Sequence, residues 1–141
     1  MSAVDLRAGV GPRALERLES EISIWLTTVS PGGRPQPTPV WFLWTGQELL
    51  VLSQPSARKL RNIAAGARVA VNFNFGGDGN DVQVLSGTAR VDESGLSAAE
   101  RTAYDTKYAS GYRELQMSAD AFHEEYSTLI RIGPERLTGW R

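Results

Sequence analysis

The chain has 141 residues, a common size for one domain, and its composition excludes several classes of chemistry. Apolar residues make up 41% of it and charged residues 22%, which is typical of a globular protein. The formal net charge of −1 provides no overall field to attract nucleic acid. There is no cysteine and only one histidine, His123, so disulfides, thiol nucleophiles and zinc–thiolate sites are excluded and no metal site is indicated.

Nothing in the sequence indicates a membrane or export segment. No apolar stretch approaches the ~20 residues that span a bilayer, and the N-terminus lacks the apolar core of a signal peptide. We therefore expect a cytoplasmic protein, a single domain over residues 1–141, without membrane or nucleic-acid partners.

The first half of the chain predicts one helix followed by three strands. Residues 12–21 favour a helix because Pro12 suits a first helical turn. Alternating apolar residues and turn signals then predict strands over 22–29, 40–45 and 49–53.

The second half begins with a helix and returns to strands. That helix is predicted with Ser56 as its N-cap, a buried face that includes Ala64, and Gly66 as its end. Strands over 69–75 and 82–91 are followed by helices, by a strand over 127–132 and by a short strand over 136–140. Short strands with few crossover helices favour a mainly β fold, a six- to seven-stranded antiparallel barrel.

The strongest chemical signal is a pair of cations at the start of this helix. Arg58 and Lys59 oppose the positive end of the helix dipole, where an acidic residue would be favoured. The placement is explained if an anion such as a phosphate binds there, with Ser53 and Ser56 as additional hydroxyl donors. The alternative is a solvated surface pair.

A second signal lies in residues 39–42. A proline within a strand indicates a sheet edge, whose free N–H and C=O groups can pair with the pyrimidine-like edge of a flavin ring. Val40, Trp41 and Phe42 would supply apolar surface for the face of the ring, or would belong to the core and a dimer interface.

These stretches resemble a known family. Residues 35–75, with QPTPVWF (36–42), SARKLRNI (56–63) and RVAVNF (68–73), are similar to the pyridoxamine 5′-phosphate oxidase-like, FMN-binding split-barrel superfamily. Within it the chain looks closest to the branch of coenzyme F420-dependent enzymes. The resemblance is continuous from residue 22 to residue 91.

The resemblance implies a homodimer with two sites at the subunit interface. Arg58 and Lys59 would hold the cofactor phosphate together with Ser53, and the backbone of residues 40–42 would border the ring. Gln83 and Trp140 would reach the site from the partner chain. The chain lacks the longer C-terminal segment with basic and histidine residues that binds substrate in true pyridoxamine 5′-phosphate oxidases, so vitamin B6 oxidation is not implied.

The function expected from this resemblance is hydride transfer between coenzyme F420, a deazaflavin, and a small organic acceptor. An FMN-dependent oxidoreductase, or a flavin- or tetrapyrrole-binding protein without catalysis, remains open. No catalytic side chain is predicted. His123 is interpreted as part of a solvated helix face apart from the cofactor motifs, and the tyrosines from Tyr104 to Tyr126 as helix packing, one of which could border a substrate pocket.

Overall fold

Residues 4–141, the part of the chain that this computed structural model describes, form one antiparallel sheet of seven strands with four helices. The strands are β1 (Ser23–Val29), β2 (Pro35–Trp41), β3 (Leu43–Trp44), β4 (Leu49–Ser53), β5 (Arg68–Asn72), β6 (Val82–Asp92) and β7 (Thr128–Trp140). The helices are α1 (Gly11–Ser20), α2 (Arg58–Ala65), α3 (Ala98–Leu115) and α4 (Ala119–Glu125). The prediction of a mainly β, six- to seven-stranded antiparallel fold is confirmed. Within this part of the chain, no helix is both long and apolar enough to cross a membrane.

The sheet closes on itself through a single residue. In the order β2–β1–β5–β6–β7–β4–β3, the two edge strands are β2 and β3, which are neighbours in sequence. Only Phe42 separates them. Because Cα atoms two positions apart lie at most ~7 Å from each other, the sheet must curl until its first and last strands meet. The resulting curled sheet is consistent with a split barrel.

The core lies inside this curl. On β1, Ile24, Leu26 and Thr28 are buried and the intervening side chains point outward, as the two-residue period of a strand requires. Helix α1 adds Leu18 to the core and α2 adds Ile63. The other buried members of the cluster come from the sheet and its connections: Phe42, Leu49, Val51, Val69, Val71, Phe73, Leu85, Ala89, Ile130 and Ile132.

Three features of the strands differ from the sequence prediction. Residues 40–45 do not form one strand, because the ladder breaks at Phe42 where the sheet closes. The segments 127–132 and 136–140 merge into the single strand β7, which pairs along the whole of β6. The strand predicted over 69–75 ends at Asn72, and Phe75 beyond it is 58% exposed.

A β-bulge allows the long β6–β7 pair to bend with the barrel. The register shifts between Ser86 and Gly87. A Cβ atom on Gly87 would overlap the backbone carbonyl of Gly133 on β7, so the approach of the two strands requires glycine at this position. The bulge adds local twist where the sheet must curve.

Helix α2 begins and packs differently from the prediction. Its N-cap is Ala57, and Ser56, which was predicted to be the cap, lies exposed in the preceding turn. The buried residues are Asn62 and Ile63, whereas Ala64 is exposed. A buried amide with hydrogen-bond partners packs as well as an apolar side chain, so hydrophobicity alone placed Ala64 instead of Asn62 on the buried face.

One guanidinium joins α3 to the sheet. A capping box formed by Ser97 and Glu100 begins α3. The Glu100 carboxylate also accepts a hydrogen bond of 2.8 Å from Arg131 on β7, and Asp92 on β6 accepts one of 2.7 Å from the same guanidinium. The Arg131 side chain is only 12% exposed. Its hydrogen bonds lower the pKa of Glu100 to about 2.

Arg131→Met is expected to reduce the free energy of unfolding by about 2–3 kcal/mol, because two half-buried carboxylates lose their partner. The folded-state pKa of Glu100 lies below its ordinary value of 4.5, so this stabilisation is present above that pH and is lost as the pH falls through about 2. Denaturant unfolding of both proteins at neutral pH and at about pH 2 measures the difference, which should shrink in acid.

Arg90→Met is the matched control. Arg90 also pairs with a carboxylate, that of Glu48, but its side chain is 61% exposed. Its loss should change the free energy of unfolding by less than about 0.5 kcal/mol. Equal effects of the two substitutions would contradict a special role of the Arg131 network.

Candidate functional site

Three adjacent cavities form a groove along the edge strand β2. The apolar cavity, of about 300 Å³, lies between β2, β4 and the helices α3 and α4. The middle cavity, of about 550 Å³, lies between β2 and the start of α2. The arginine cavity, of about 500 Å³, lies beside the turn that joins β1 to β2. Lys59 lines the first two and Arg58 the last two, so these cations connect the three cavities.

The apolar cavity has two different walls. Its polar groups come from the connection between β4 and α2 and are Ser53, Gln54 and Lys59. Its aromatic wall is formed by Tyr104 of α3 together with Phe122 and Tyr126 of the α4 segment. An apolar pocket with a few polar groups on one side is the usual form of a small-molecule site.

Positive charge is concentrated along the rest of the groove without a counter-ion. Among residues 4–141, neither Arg58 nor Lys59 forms an ion pair, and neither do Arg34 and Arg61, which line the arginine cavity. The first turn of α2 contains no acidic residue. Burial lowers the pKa of Lys59, because the charged form has lost part of its hydration. An anion would therefore be favoured at this helix terminus.

A buried amide fixes the helix that carries these cations. Nδ2 of Asn62 donates hydrogen bonds to Oγ1 of Thr28 on β1, at 2.9 Å, and to Oε1 of Gln36 on β2, at 2.7 Å. The start of α2 is thereby held beside the edge of the sheet. Ser53 is buried, and its hydroxyl donates to the backbone carbonyl of Gln54 at 2.9 Å. Ser56 lines none of the three cavities.

The free edge of β2 carries hydrogen-bond acceptors and almost no donors. Pro35, Pro37 and Pro39 alternate along the strand, and all seven residues of β2 pair with β1. Proline has no N–H to donate to β1, so these residues occupy the alternate positions whose backbone groups point to the open edge. At those positions only the carbonyl oxygens are available for hydrogen bonds. The expected free N–H groups are therefore absent at the proline positions.

Trp41 is fixed at the boundary between the sheet and the aromatic wall. Its ring stacks on Tyr108, with centroids 4.3 Å apart and an interplanar angle of 6°, and on Phe122, at 5.4 Å and 18°. A Cβ atom on Gly111 would lie 2.7 Å from the Trp41 ring. Glycine at this position lets α3 pass close enough for the stacking to form.

The backbone of Phe42, predicted to border a ring, is bonded within the chain instead. Its N–H donates to the hydroxyl of Tyr108 at 2.8 Å, and that hydroxyl donates to the carbonyl of Ile22 at 2.6 Å. Nζ of Lys107 donates to the Phe42 carbonyl at 2.7 Å, and burial lowers the pKa of this lysine to about 8. The Phe42 side chain is fully buried, so this residue positions Trp41 and does not face the groove.

Gln83 and Trp140 lie together on β6 and β7, away from the groove. Gln83 is 1% exposed, and its amide accepts from Arg17 and donates to Asp81. It also donates to the Trp140 carbonyl at 3.3 Å, so it presents no free group at the surface. The Trp140 side chain is 56% exposed and donates from Nε1 to the carbonyl of Gly79 at 2.7 Å.

The structure thus brings part of the predicted site together. Around the apolar cavity it places Val40, Trp41, Ser53 and Lys59. The tyrosines were predicted as helix packing with one of them able to border a pocket, and Tyr104 and Tyr126 line this cavity, whereas Phe122 and Arg34 were missed. The spacing of four residues between Tyr104, Tyr108 and Tyr112, which are all buried, is the sequence signal for one aromatic helix face.

The prediction of a solvated His123 is wrong. Its side chain is only 12% exposed, and Nε2 lies 2.7 Å from Oδ1 of Asp105 on α3. The neighbouring Phe122 contacts Trp41, so His123 also lies close to the groove rather than apart from it. Its sequence neighbours Glu124 and Glu125 are exposed, which is why the local pattern suggested a solvated face.

The chain belongs to the family described as Pyridoxamine 5′-phosphate oxidase, whose sequence profile matches residues 11–141. The match covers every element of the groove described above. A search of curated proteins found no match.

Solved structures share the fold at low sequence identity. HutZ, the heme storage protein from Vibrio cholerae, is 18% identical, with a TM-score of 0.65 over 94% of this chain and 95% of that one. An F420 reductase is 23% identical, with a TM-score of 0.64 over 87% of this chain and 94% of that one. General Stress Protein 26 from Bacillus anthracis is 16% identical, with a TM-score of 0.66 over 89% of each chain. These proteins have different roles, so the fold alone does not select one for this chain.

Proposed function

We propose that the groove binds a flavin-type cofactor and that the protein is an oxidoreductase. The favoured cofactor is coenzyme F420, with FMN as the alternative, and the reaction is hydride transfer to a small organic acceptor. The observation that carries the proposal is the direct connection, through Lys59, between an apolar cavity and a row of cations without counter-ions. Membership of the oxidase family adds support.

The residues of the groove fit such a cofactor. The apolar cavity, at about 300 Å³, is within the ~300–1,000 Å³ typical of ligand pockets and suits one planar ring system. The middle cavity next to it carries Arg58 and Lys59, which suit a phosphate. The carbonyl oxygens of Pro37 and Pro39 are free acceptors for a ring N–H.

The protein's own contribution is binding, orientation and exclusion of water. When bound, a flavin or deazaflavin supplies the hydride chemistry itself. Arg58 and Lys59 would anchor the phosphate, and the ring of Trp41 would form one apolar boundary. Phe122 and Tyr126 would shield the ring from water. No residue of the groove is assigned as a proton donor.

The arginine cavity supports the deazaflavin over FMN. Coenzyme F420 carries a longer acidic tail beyond its phosphate, whereas FMN ends at the phosphate. Arg34 and Arg61 line the arginine cavity and not the middle cavity, and Arg58 lies at the boundary of the two. Their unpaired charges suit such a tail.

The double variant Arg58→Ala/Lys59→Ala is expected to weaken the binding of FMN and of coenzyme F420 by about 100-fold. Each charge-assisted hydrogen bond to the phosphate contributes about 1.5 kcal/mol, and two of them give this factor. Calorimetric titration of each cofactor into wild type and variant measures the change.

The charge-matched control is Arg68→Ala/Arg113→Ala. Both side chains are exposed and line none of the three cavities of the groove. This variant should bind both cofactors as wild type does. Unchanged affinity in the Arg58/Lys59 variant would refute the anchor. Tight binding without reduction of any acceptor would favour a carrier protein over an enzyme.

The variant Arg34→Ala/Arg61→Ala separates the two cofactors. It should weaken the binding of coenzyme F420 by about tenfold, because the acidic tail loses its cations. The affinity for FMN should stay within about twofold of wild type. The same titrations read out the effect. Equal weakening of both ligands would mean that these arginines act on the phosphate and would remove the argument for the deazaflavin.

We further propose that the protein is a homodimer that uses the outer face of the sheet. Arg68 of β5 borders an uncharged patch of outward side chains that spans β1, β5 and β6: Trp25, Thr27, Ala70, Asn72, Val84 and Ser86. Trp140, at the far end of this face, is 56% exposed. An uncharged sheet patch with an exposed tryptophan at its end is typical of a surface covered by a partner.

Val84→Arg is expected to convert the dimer to a monomer, because a charge at the centre of this face would be buried without a partner. Light scattering at micromolar concentration measures the mass. Ala99→Arg, on the exposed side of α3, is the control and should leave the mass unchanged. A monomeric wild-type protein would contradict the dimer.

A further inference from the structure

Helix α4 forms one wall of the apolar cavity and has few attachments to the barrel. Its seven residues contribute Phe122, and its C-cap contributes Tyr126, to that wall. It follows α3 after Gln116, which has a left-handed φ of 57° and is the one residue other than glycine with positive φ among residues 4–141. The two helices are therefore joined by a sharp local turn, and side-chain contacts help to set the position of α4.

The central contact is a junction at Asp105 of α3. Its Oδ1 lies 2.7 Å from the hydroxyl of Tyr112 and 2.7 Å from Nε2 of His123 on α4. Burial alone would raise the pKa of Asp105, but the hydrogen bonds from Tyr112 and His123 outweigh it and the pKa lies below its ordinary value. The carboxylate has no proton to give, so both neighbours donate and Nε2 of His123 carries a hydrogen.

An ion pair joins the same two helices at the surface. Arg101 of α3 lies 2.7 Å from Asp120 of α4, and the Asp120 side chain is 88% exposed. Arg101 also approaches Oδ2 of Asp105 at 3.6 Å. Glu124 lines the shallow surface around His123. The exposed pair contributes little, because water screens it, so the buried junction is the main polar attachment of α4 beside the packing of Phe122.

The junction is coupled directly to the cavity. His123 and Phe122 are adjacent in sequence, with ring centroids 5.8 Å apart, and Phe122 stacks on both Trp41 and Tyr126. A shift of α4 therefore moves Phe122 relative to Trp41. Both side chains line the apolar cavity, so such a shift changes the width of the cavity.

We propose that His123 is a positioning residue whose hydrogen bond to Asp105 holds α4 against Trp41 and so sets the width of the apolar cavity. Its effect on a ring ligand rests on the proposed function, whereas its effect on α4 does not. Loss of the donor leaves Asp105 with one hydrogen-bond partner fewer and frees α4 to move. The ring-binding end of the groove widens, and the phosphate anchor on α2 is unaffected.

The test compares His123→Leu with His123→Gln. Leucine keeps apolar volume but cannot donate, whereas the glutamine amide can place an N–H near the position of Nε2. Amide hydrogen exchange of residues 119–125, measured without ligand, should be about tenfold faster in His123→Leu than in wild type, since a hydrogen bond to a charged group has been lost. In His123→Gln the exchange should return to within about threefold of wild type.

Binding is measured with lumiflavin, a flavin ring without a phosphate, and with FMN. Lumiflavin affinity should fall about tenfold in His123→Leu and recover in His123→Gln, since the ring contacts depend on the wall. The affinity for FMN should fall by the same factor and no more, since its phosphate contacts remain. Asp120→Asn, which removes the exposed ion pair, is the control and should change neither exchange nor affinity by more than about twofold.

The outcomes separate the two proposals. Equal exchange of residues 119–125 in wild type and His123→Leu, or equal exchange in the leucine and glutamine variants, overturns the role of His123. If wild type binds neither lumiflavin nor FMN, and coenzyme F420 does not bind in the titrations above, the proposed function fails and the exchange result still decides the role of His123. Should His123→Leu not fold, Asp105→Asn, which keeps an acceptor oxygen without the charge, must speed exchange in the same residues for the proposal to stand.

Discussion

The architecture depends on the closure of the sheet at Phe42. One residue joins the two edge strands, so its backbone N–H and C=O cannot join either ladder. Leaving them unsatisfied in the interior would cost about 1–3 kcal/mol each. Tyr108 and Lys107 of α3 supply the missing partners, and this explains why a long helix is packed against the open seam of the barrel.

The same contacts build the candidate site. Fixing Phe42 also fixes Trp41, whose ring is then enclosed by Tyr108 on one side and Phe122 on the other. The apolar cavity lies where this stack meets β4 and the start of α2. The seam of the barrel is thus both the place where the fold needs support and the place where a pocket forms.

The distribution of charge separates structural cations from candidate binding cations. Arg17 and Arg131 are nearly buried, and each is surrounded by several carboxylate or carbonyl oxygens. Arg58 and Lys59 have no such partners among the residues that the structure describes, although Lys59 is half-buried. Positive charge that the fold does not neutralise is the physical basis for expecting an anionic ligand at this position.

The sequence by itself determined the features that arise from short-range patterns. The alternation along β1, the capping box at Ser97 and the cation pair at Arg58 all follow from residues a few positions apart, where local geometry fixes which side chains share a face. Those features include the polar half of the groove. They do not include its aromatic half.

Only the tertiary structure decided which distant residues meet. The pairing of His123 with Asp105, the stack on Trp41 and the burial of Gln83 join residues that are far apart in sequence. Such contacts result from how the closed sheet packs against its helices, and no local propensity encodes that packing. The sequence therefore indicated the cation pair as a candidate anion site, and the fold decided which side chains lie around it.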